Sequence, residues 1–233
     1  MSNRLKDIQS NLEKINSRIA EACSSSKRNI SEITLIAVTK TYPASDVDLL
    51  KQLGIENVGE NKDQEAVGKI SQVKEKFSWH FIGQLQSNKA KSVVTYADLI
   101  HSVDRLTLAK ELQKSASAIA KKQKVLIQVD LDQSGPDPSR GGVWPADLAG
   151  LAQFISQSEN LELAGLMSVA PLGENPLEAF QRLAQLRSDF LKNYPNAVIL
   201  SAGMSEDLEA AIEHGATHLR IGSALLGERP KIR

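Results

Sequence analysis

Leu35-Ile36-Ala37-Val38-Thr39-Lys40 is a short apolar run that ends on a lysine. Its length and its β-branched residues suit a strand buried on both faces, as in a parallel sheet. The same kind of run recurs at residues 56–59, 79–82, 99–103, 125–131, 163–169, 198–200 and 218–221. Between the runs lie segments of helical period. Ser45 is placed to cap one that buries Val47, Leu50 and Leu53, and Asp104 to cap one carrying Leu108, Leu112, Ala116 and Ile119. A third sets Leu177, Phe180, Leu183 and Phe190 on one face, and Ser205 opens the last, with Glu206 and Asp207 in its first turn. Ahead of the first run, Leu5, Ile8, Leu12, Ile15, Ile19 and Cys23 form the stripe of an amphipathic helix.

Eight buried strands alternating with helices give an α/β chain, a (β/α)8 TIM-like barrel with an extra N-terminal helix. A doubly wound open sheet is the runner-up, weakened because no glycine-rich dinucleotide turn follows the first strand. The Gly- and Pro-rich residues 133–145 read as a loop, because strand and helix signals resume beyond them. One domain over residues 1–233 is expected.

Twenty-eight basic and 28 acidic residues cancel, so no global field favours nucleic acid or an anionic membrane. Any anion site is therefore local. The N-terminus has no apolar core of a signal peptide, and no stretch approaches the roughly 18 apolar residues of a membrane span. The single cysteine forms no internal disulfide. A cytoplasmic protein with neither membrane nor nucleic-acid partners is expected.

In a barrel the chemistry collects at the C-terminal ends of the strands. Lys40 ends the first strand, Gly59-Glu60-Asn61 the second, and Gly83 to Lys89 follow the third. Ser201-Ala202-Gly203-Met204-Ser205 follows the seventh, and Arg220-Ile221-Gly222-Ser223 closes the eighth. Loops after strands seven and eight commonly bind phosphate, and Arg220 adds a fixed positive charge. A lysine at the mouth facing a phosphate site is the arrangement of Schiff-base chemistry, where desolvation supplies the neutral amine. An aldolase acting on a sugar phosphate and a carrier of pyridoxal phosphate both fit these residue types.

The motifs separate the two. Ala37-Val38-Thr39-Lys40, Gly59-Glu60-Asn61, Gln64-Glu65, the run from Trp79 to Lys89, and His101-Ser102-Val103-Asp104 occur in that order. Gly165-Leu166-Met167-Ser168, Gly203-Met204-Ser205-Glu206-Asp207 and the run from Gly215 to Gly222 complete the set. With these the chain resembles the YggS/PROSC family, the pyridoxal phosphate homeostasis proteins, over nearly its whole length. The resemblance implies a fold-type III barrel like the N-terminal domain of alanine racemase, with pyridoxal 5′-phosphate held as a Schiff base on Lys40. It implies that Asn61 lies near the cofactor ring or its O3′. Ser201, Gly203, Thr217, Gly222 and Ser223 would line the phosphate, and Arg220 would face the pyridine nitrogen or the phosphate. Departures from the family pattern are Thr39 for serine, Ala202 for methionine and Arg140 for lysine. Trp79 is expected in the core and His80 as a satisfied buried histidine.

A carrier that buffers the cofactor or delivers it to apo-enzymes is preferred to the alternative, a racemase or related enzyme. A racemase of the alanine racemase type uses a second, β-rich domain and a tyrosine opposite the lysine. The tyrosines here are Tyr42, Tyr96 and Tyr194, of which Tyr42 should lead out of the barrel and Tyr194 sits in a helix-to-strand turn. The chain ends at Arg233, soon after the eighth strand. No catalytic base, no metal and a monomeric state are expected.

Overall fold

The computed structural model describes residues 3–135 and 141–228, so Arg140 lies outside the described residues. Eight strands form one closed parallel barrel in chain order. They are Thr34–Val38 (β1), Asn57–Glu60 (β2), Ser78–Phe81 (β3), Leu99–Val103 (β4), Gln123–Gln128 (β5), Leu161–Met167 (β6), Ile199–Ser201 (β7) and His218–Ile221 (β8). Closure is made by β1 and β8, with Leu35 beside Leu219 and Ile36 beside Arg220. The barrel is therefore the observed architecture, and the open sheet is not.

The helices are Asn3–Ser25 (α1), Ala44–Gln52 (α2), Asp63–Ile70 (α3), Ala90–Tyr96 (α4) and Leu106–Ser117 (α5). Leu148–Gln157 (α6), Pro176–Asn193 (α7), Leu208–Glu213 (α8) and Ser223–Leu226 (α9) complete the ring. The expected stripe of α1, Cys23 included, is buried. Its polar edge is tied down too: Arg4 pairs with Asp46 and donates to the Leu226 carbonyl, and Asn11 donates to the Leu225 carbonyl. α1 thus packs across the seam where the barrel closes.

Helix starts differ from expectation by one or two residues. Pro43 occupies the cap position of α2, which leaves Ser45 inside the first turn. Asp104 pairs with Arg105 rather than capping α5. Asp207, not Ser205, precedes α8, and its carboxylate accepts the Met204 N–H at 2.5 Å. None of these three helices has a side-chain cap bond at its start. β5 begins at Gln123, earlier than its apolar run, because strand pairing needs only backbone groups. The buried Gln123 amide donates to the Asp98 and Lys124 carbonyls. Ile119 and Leu177 are exposed, while Phe180, Leu183 and Phe190 are buried as expected.

Candidate functional site

The C-terminal ends of β1, β2, β3, β6, β7 and β8 surround a cavity of about 410 Å³. Ligand pockets of this kind span roughly 300–1,000 Å³. Lys40, Asn61, Arg220, Gly222 and Ser223 line it together, as expected for a single site. Val38, Ile82 and Met167 add apolar wall, and Ser205, like Ser223, is a hydroxyl-bearing lining residue. The Asn61 loop is fixed from outside: a Cβ on Gly83 would lie 2.1 Å from the Asn61 carbonyl oxygen, so only glycine fits there.

Lys40 is held by its backbone. Thr41, next in the chain, has φ 71°, a left-handed conformation that a β-branched residue rarely adopts. Its N–H donates to the Glu65 carboxylate. On the other side of Lys40, the Thr39 carbonyl accepts from Lys69 Nζ at 2.5 Å, and Lys69 also pairs with Glu65 at 3.0 Å. One buried lysine on α3 therefore holds Thr39 directly and Thr41 through Glu65. Lys69 is balanced further by Glu60 at 2.5 Å, which also accepts the Thr39 hydroxyl at 2.5 Å. Burial pushes the Glu60 carboxyl upward, and the adjacent Lys69 opposes that shift. Residue spacing did carry a signal for this clamp, since Glu65 and Lys69 are an i,i+4 pair.

Arg220 enters from β8 and is almost fully buried, with one terminal nitrogen donating to Ser201 Oγ at 2.7 Å and the other to the Ser168 carbonyl at 2.9 Å. Burial lowers its pKa to about 10, so it stays cationic at neutral pH. Beneath it a polar chain crosses the barrel interior. Ser201 Oγ lies 2.9 Å from His101 Nδ1, His101 Nε2 lies 2.9 Å from His80 Nδ1, and His80 Nε2 lies 3.0 Å from Asn57 Oδ1. Desolvation pulls His80 down to about 3, with His218 nearby adding to it. It also pulls His101 well below the ordinary histidine range, helped by His80 and Arg220. His80 is thus a hydrogen-bonded buried histidine.

Three expected phosphate residues stand elsewhere. Thr217 precedes β8, at the opposite end from the cavity, and its hydroxyl accepts the Leu200 N–H at 2.9 Å. A strand of four residues spans roughly 13 Å, so Thr217 is out of reach of the mouth. Ser201 is buried under Arg220 and engages it rather than the cavity. Gly203 makes the turn that lets Met204 to Asp207 reach the rim. With φ +93°, its own Cβ would meet the Ala211 Cβ at 2.7 Å. Tyr42 does not lead outward: it is 2% exposed, and its hydroxyl donates to the Gly227 carbonyl at 2.5 Å.

Comparison with known proteins places this arrangement. The family described as alanine racemase, N-terminal domain, matches residues 5–230. The pyridoxal phosphate homeostasis protein of Mycobacterium leprae is 38% identical over 96% of this chain and 93% of its own. Among solved structures, an unknown protein from Bifidobacterium adolescentis superposes with a TM-score of 0.89 at 29% identity, covering 97% of each chain. PipY of Synechococcus elongatus with PLP bound has a TM-score of 0.83 at 32% identity, covering 94% of this chain and 100% of PipY. The chain belongs to the alanine racemase N-terminal-domain family and, within it, to the pyridoxal phosphate homeostasis proteins.

Proposed function

We propose that this protein binds pyridoxal 5′-phosphate in the mouth cavity, holds it as a Schiff base on Lys40, and buffers or delivers it without turning over amino acids. The observation that carries the reading is one cavity lined by a strand-end lysine, a buried arginine and two hydroxyl-bearing turns. Those groups fit the cofactor: an amine for its aldehyde, donors for its phosphate, and apolar wall for its ring. When bound, the cofactor supplies a reactive aldehyde; the chain's residues fix where that aldehyde is presented. Lys69, through Thr39 and Glu65, sets the backbone from which Lys40 reaches the cavity. In this reading Asn61, whose backbone packs against Gly83, meets the ring side, and Gly222, Ser223 and Ser205, which line the same cavity, take the phosphate.

PipY, a relative at 32% identity, is described with PLP bound, which supports the same ligand here. The non-catalytic reading is supported by the cavity lining, in which no described tyrosine or histidine takes a place opposite Lys40. No helix among the described residues is long and apolar enough to cross a membrane. A cytoplasmic monomer whose recipients are apo-enzymes for the same cofactor fits this reading. The test is an absorption spectrum before and after borohydride reduction, followed by peptide mapping. The expected adduct is on Lys40. An adduct confined to any other lysine overturns the assignment, and in Lys40→Ala the visible band should vanish from a folded protein.

A further inference from the structure

We propose that Asn57, His80, His101 and Ser201 are positioning residues that form a one-directional hydrogen-bond relay aiming Arg220 at the cavity, with both imidazoles carrying their proton on Nε2. The proposal rests on the reading of the cavity as a pyridoxal phosphate site.

The proton arrangement is fixed from both ends. A guanidinium only donates, so Ser201 Oγ must accept from Arg220 at 2.7 Å. The Ser201 hydroxyl proton then needs an acceptor, and His101 Nδ1 stands 2.9 Å away. His101 Nδ1 is therefore bare, and its ring proton sits on Nε2, 2.9 Å from His80 Nδ1. That nitrogen accepts, which leaves the His80 proton on Nε2, 3.0 Å from Asn57 Oδ1. The Asn57 oxygen can only accept, so the argument run backwards gives the same arrangement. Every link pairs one donor with one acceptor. The reverse orientation would put two donors on Ser201 and leave its own proton without an acceptor, in a place where an unmade hydrogen bond is costly.

The consequence reaches Arg220. With Ser168 holding one terminal nitrogen and Ser201 the other, the plane of the guanidinium is set where the side chain lines the cavity. Were His101 to turn to the other tautomer, the Ser201 hydroxyl proton would lose its acceptor, and the contact that orients Arg220 would be weakened. Asn57 starts β2 at the far end of the barrel and does not line the cavity, so any effect it has on the cofactor is transmitted.

Long-range proton–nitrogen NMR of the cofactor-free, nitrogen-15-labelled protein at pH 7 reads the tautomers directly. Both rings should carry Nε2–H, and an Nδ1–H form of either in the wild type overturns the relay. Equilibrium dialysis of wild type with pyridoxal phosphate comes first, so that absent binding is scored against the functional reading and not against the tautomers. Asn57→Leu and Ser201→Ala should each speed cofactor release by about three- to tenfold, the worth of one neutral hydrogen bond. The double variant should release no faster than Ser201→Ala alone, because both cut the same chain. Additive effects, or unchanged release in folded Asn57→Leu, refute transmission. If Asn57→Leu fails to fold, the wild-type tautomers together with Ser201→Ala release decide the matter.

Discussion

Lys69 Nζ donates to the carbonyl oxygen of Thr39, the residue immediately before Lys40, from 30 positions further along the chain. The contact ties α3 to the end of β1 and sets the direction in which Lys40 departs. Removing one partner of a buried ion pair typically costs about 3–5 kcal/mol, because the other charge is stranded. Lys69→Met should therefore lower stability strongly and slow capture of pyridoxal phosphate. Adding Glu60→Gln should restore much of the stability but not the capture rate, since the Thr39 carbonyl still lacks its donor. Thermal unfolding and stopped-flow absorbance read the two effects separately. A Lys69→Met protein that captures at the wild-type rate contradicts the clamp.

The phosphate side can be tested by comparing pyridoxal with pyridoxal phosphate. Hydrogen bonds to a charged group contribute about 1.5–3 kcal/mol. Ser205→Ala and Ser223→Ala should each weaken pyridoxal phosphate binding by about tenfold or more on that basis, and leave pyridoxal unaffected. Arg220→Gln should weaken retention of pyridoxal phosphate by about ten- to a hundredfold. Equal wild-type affinity for the two aldehydes would mean that the loops after β7 and β8 contribute nothing.

Amino-acid turnover should be absent. Racemisation needs a positioned base on each face of Cα, each contributing about 10²–10⁴-fold, and the described cavity lining offers Lys40 for one face only. Incubation with L- and D-alanine in deuterated water should show no rapid exchange of the Cα proton. Exchange faster than about one per second, within the enzyme range, would restore the racemase reading.

The buried histidines predict an acid-sensitive fold. His80 and His101 take up protons far below the ordinary value of 6.5 in the native state, whereas the unfolded chain takes them up near 6.5. The unfolded state therefore holds more protons below about pH 6.5, and stability falls as pH falls, by about 1.4 kcal/mol per unit for each histidine. Their contribution is complete above that pH. Glu60 acts in the opposite sense, because its raised carboxyl favours the native state less as pH rises past 4.5. Urea midpoints at pH 6.5, 5.5 and 4.5 should drop more steeply for wild type than for His101→Phe. Parallel lines would remove His101 from the linkage.

The barrel was legible because its strands are buried on both faces, so the run ending at Lys40 and the run 99–103 read directly as strands. Helix starts were less legible, since α2 begins after Pro43 and α8 after Asp207 with no side-chain cap bond, so the serines two positions away do not mark the boundaries. Lys40 and Arg220 could be placed at the mouth from their strand positions. Thr217 was misplaced because the run from Gly215 to Gly222 spans a whole strand, whose two ends lie at opposite poles of the barrel. Lys69 reads as a surface charge paired with Glu65, and only the closed structure reveals it at 6% exposure. His101 sits inside an apolar run, where nothing in the sequence distinguishes a polar relay from core packing.

The polar chain under Arg220 also bears on how the protein folds. It joins β2, β3, β4, β7 and β8, and the link from His101 to Ser201 spans 100 residues. Loops of that length close late, after local strand–helix units have formed. A contact made only on the native side of the barrier leaves the refolding rate unchanged and accelerates unfolding when removed. His101→Phe should thus shift the unfolding limb of a chevron plot and spare the folding limb, making the barrel's innermost histidine a latch on the kinetic lifetime of the closed state.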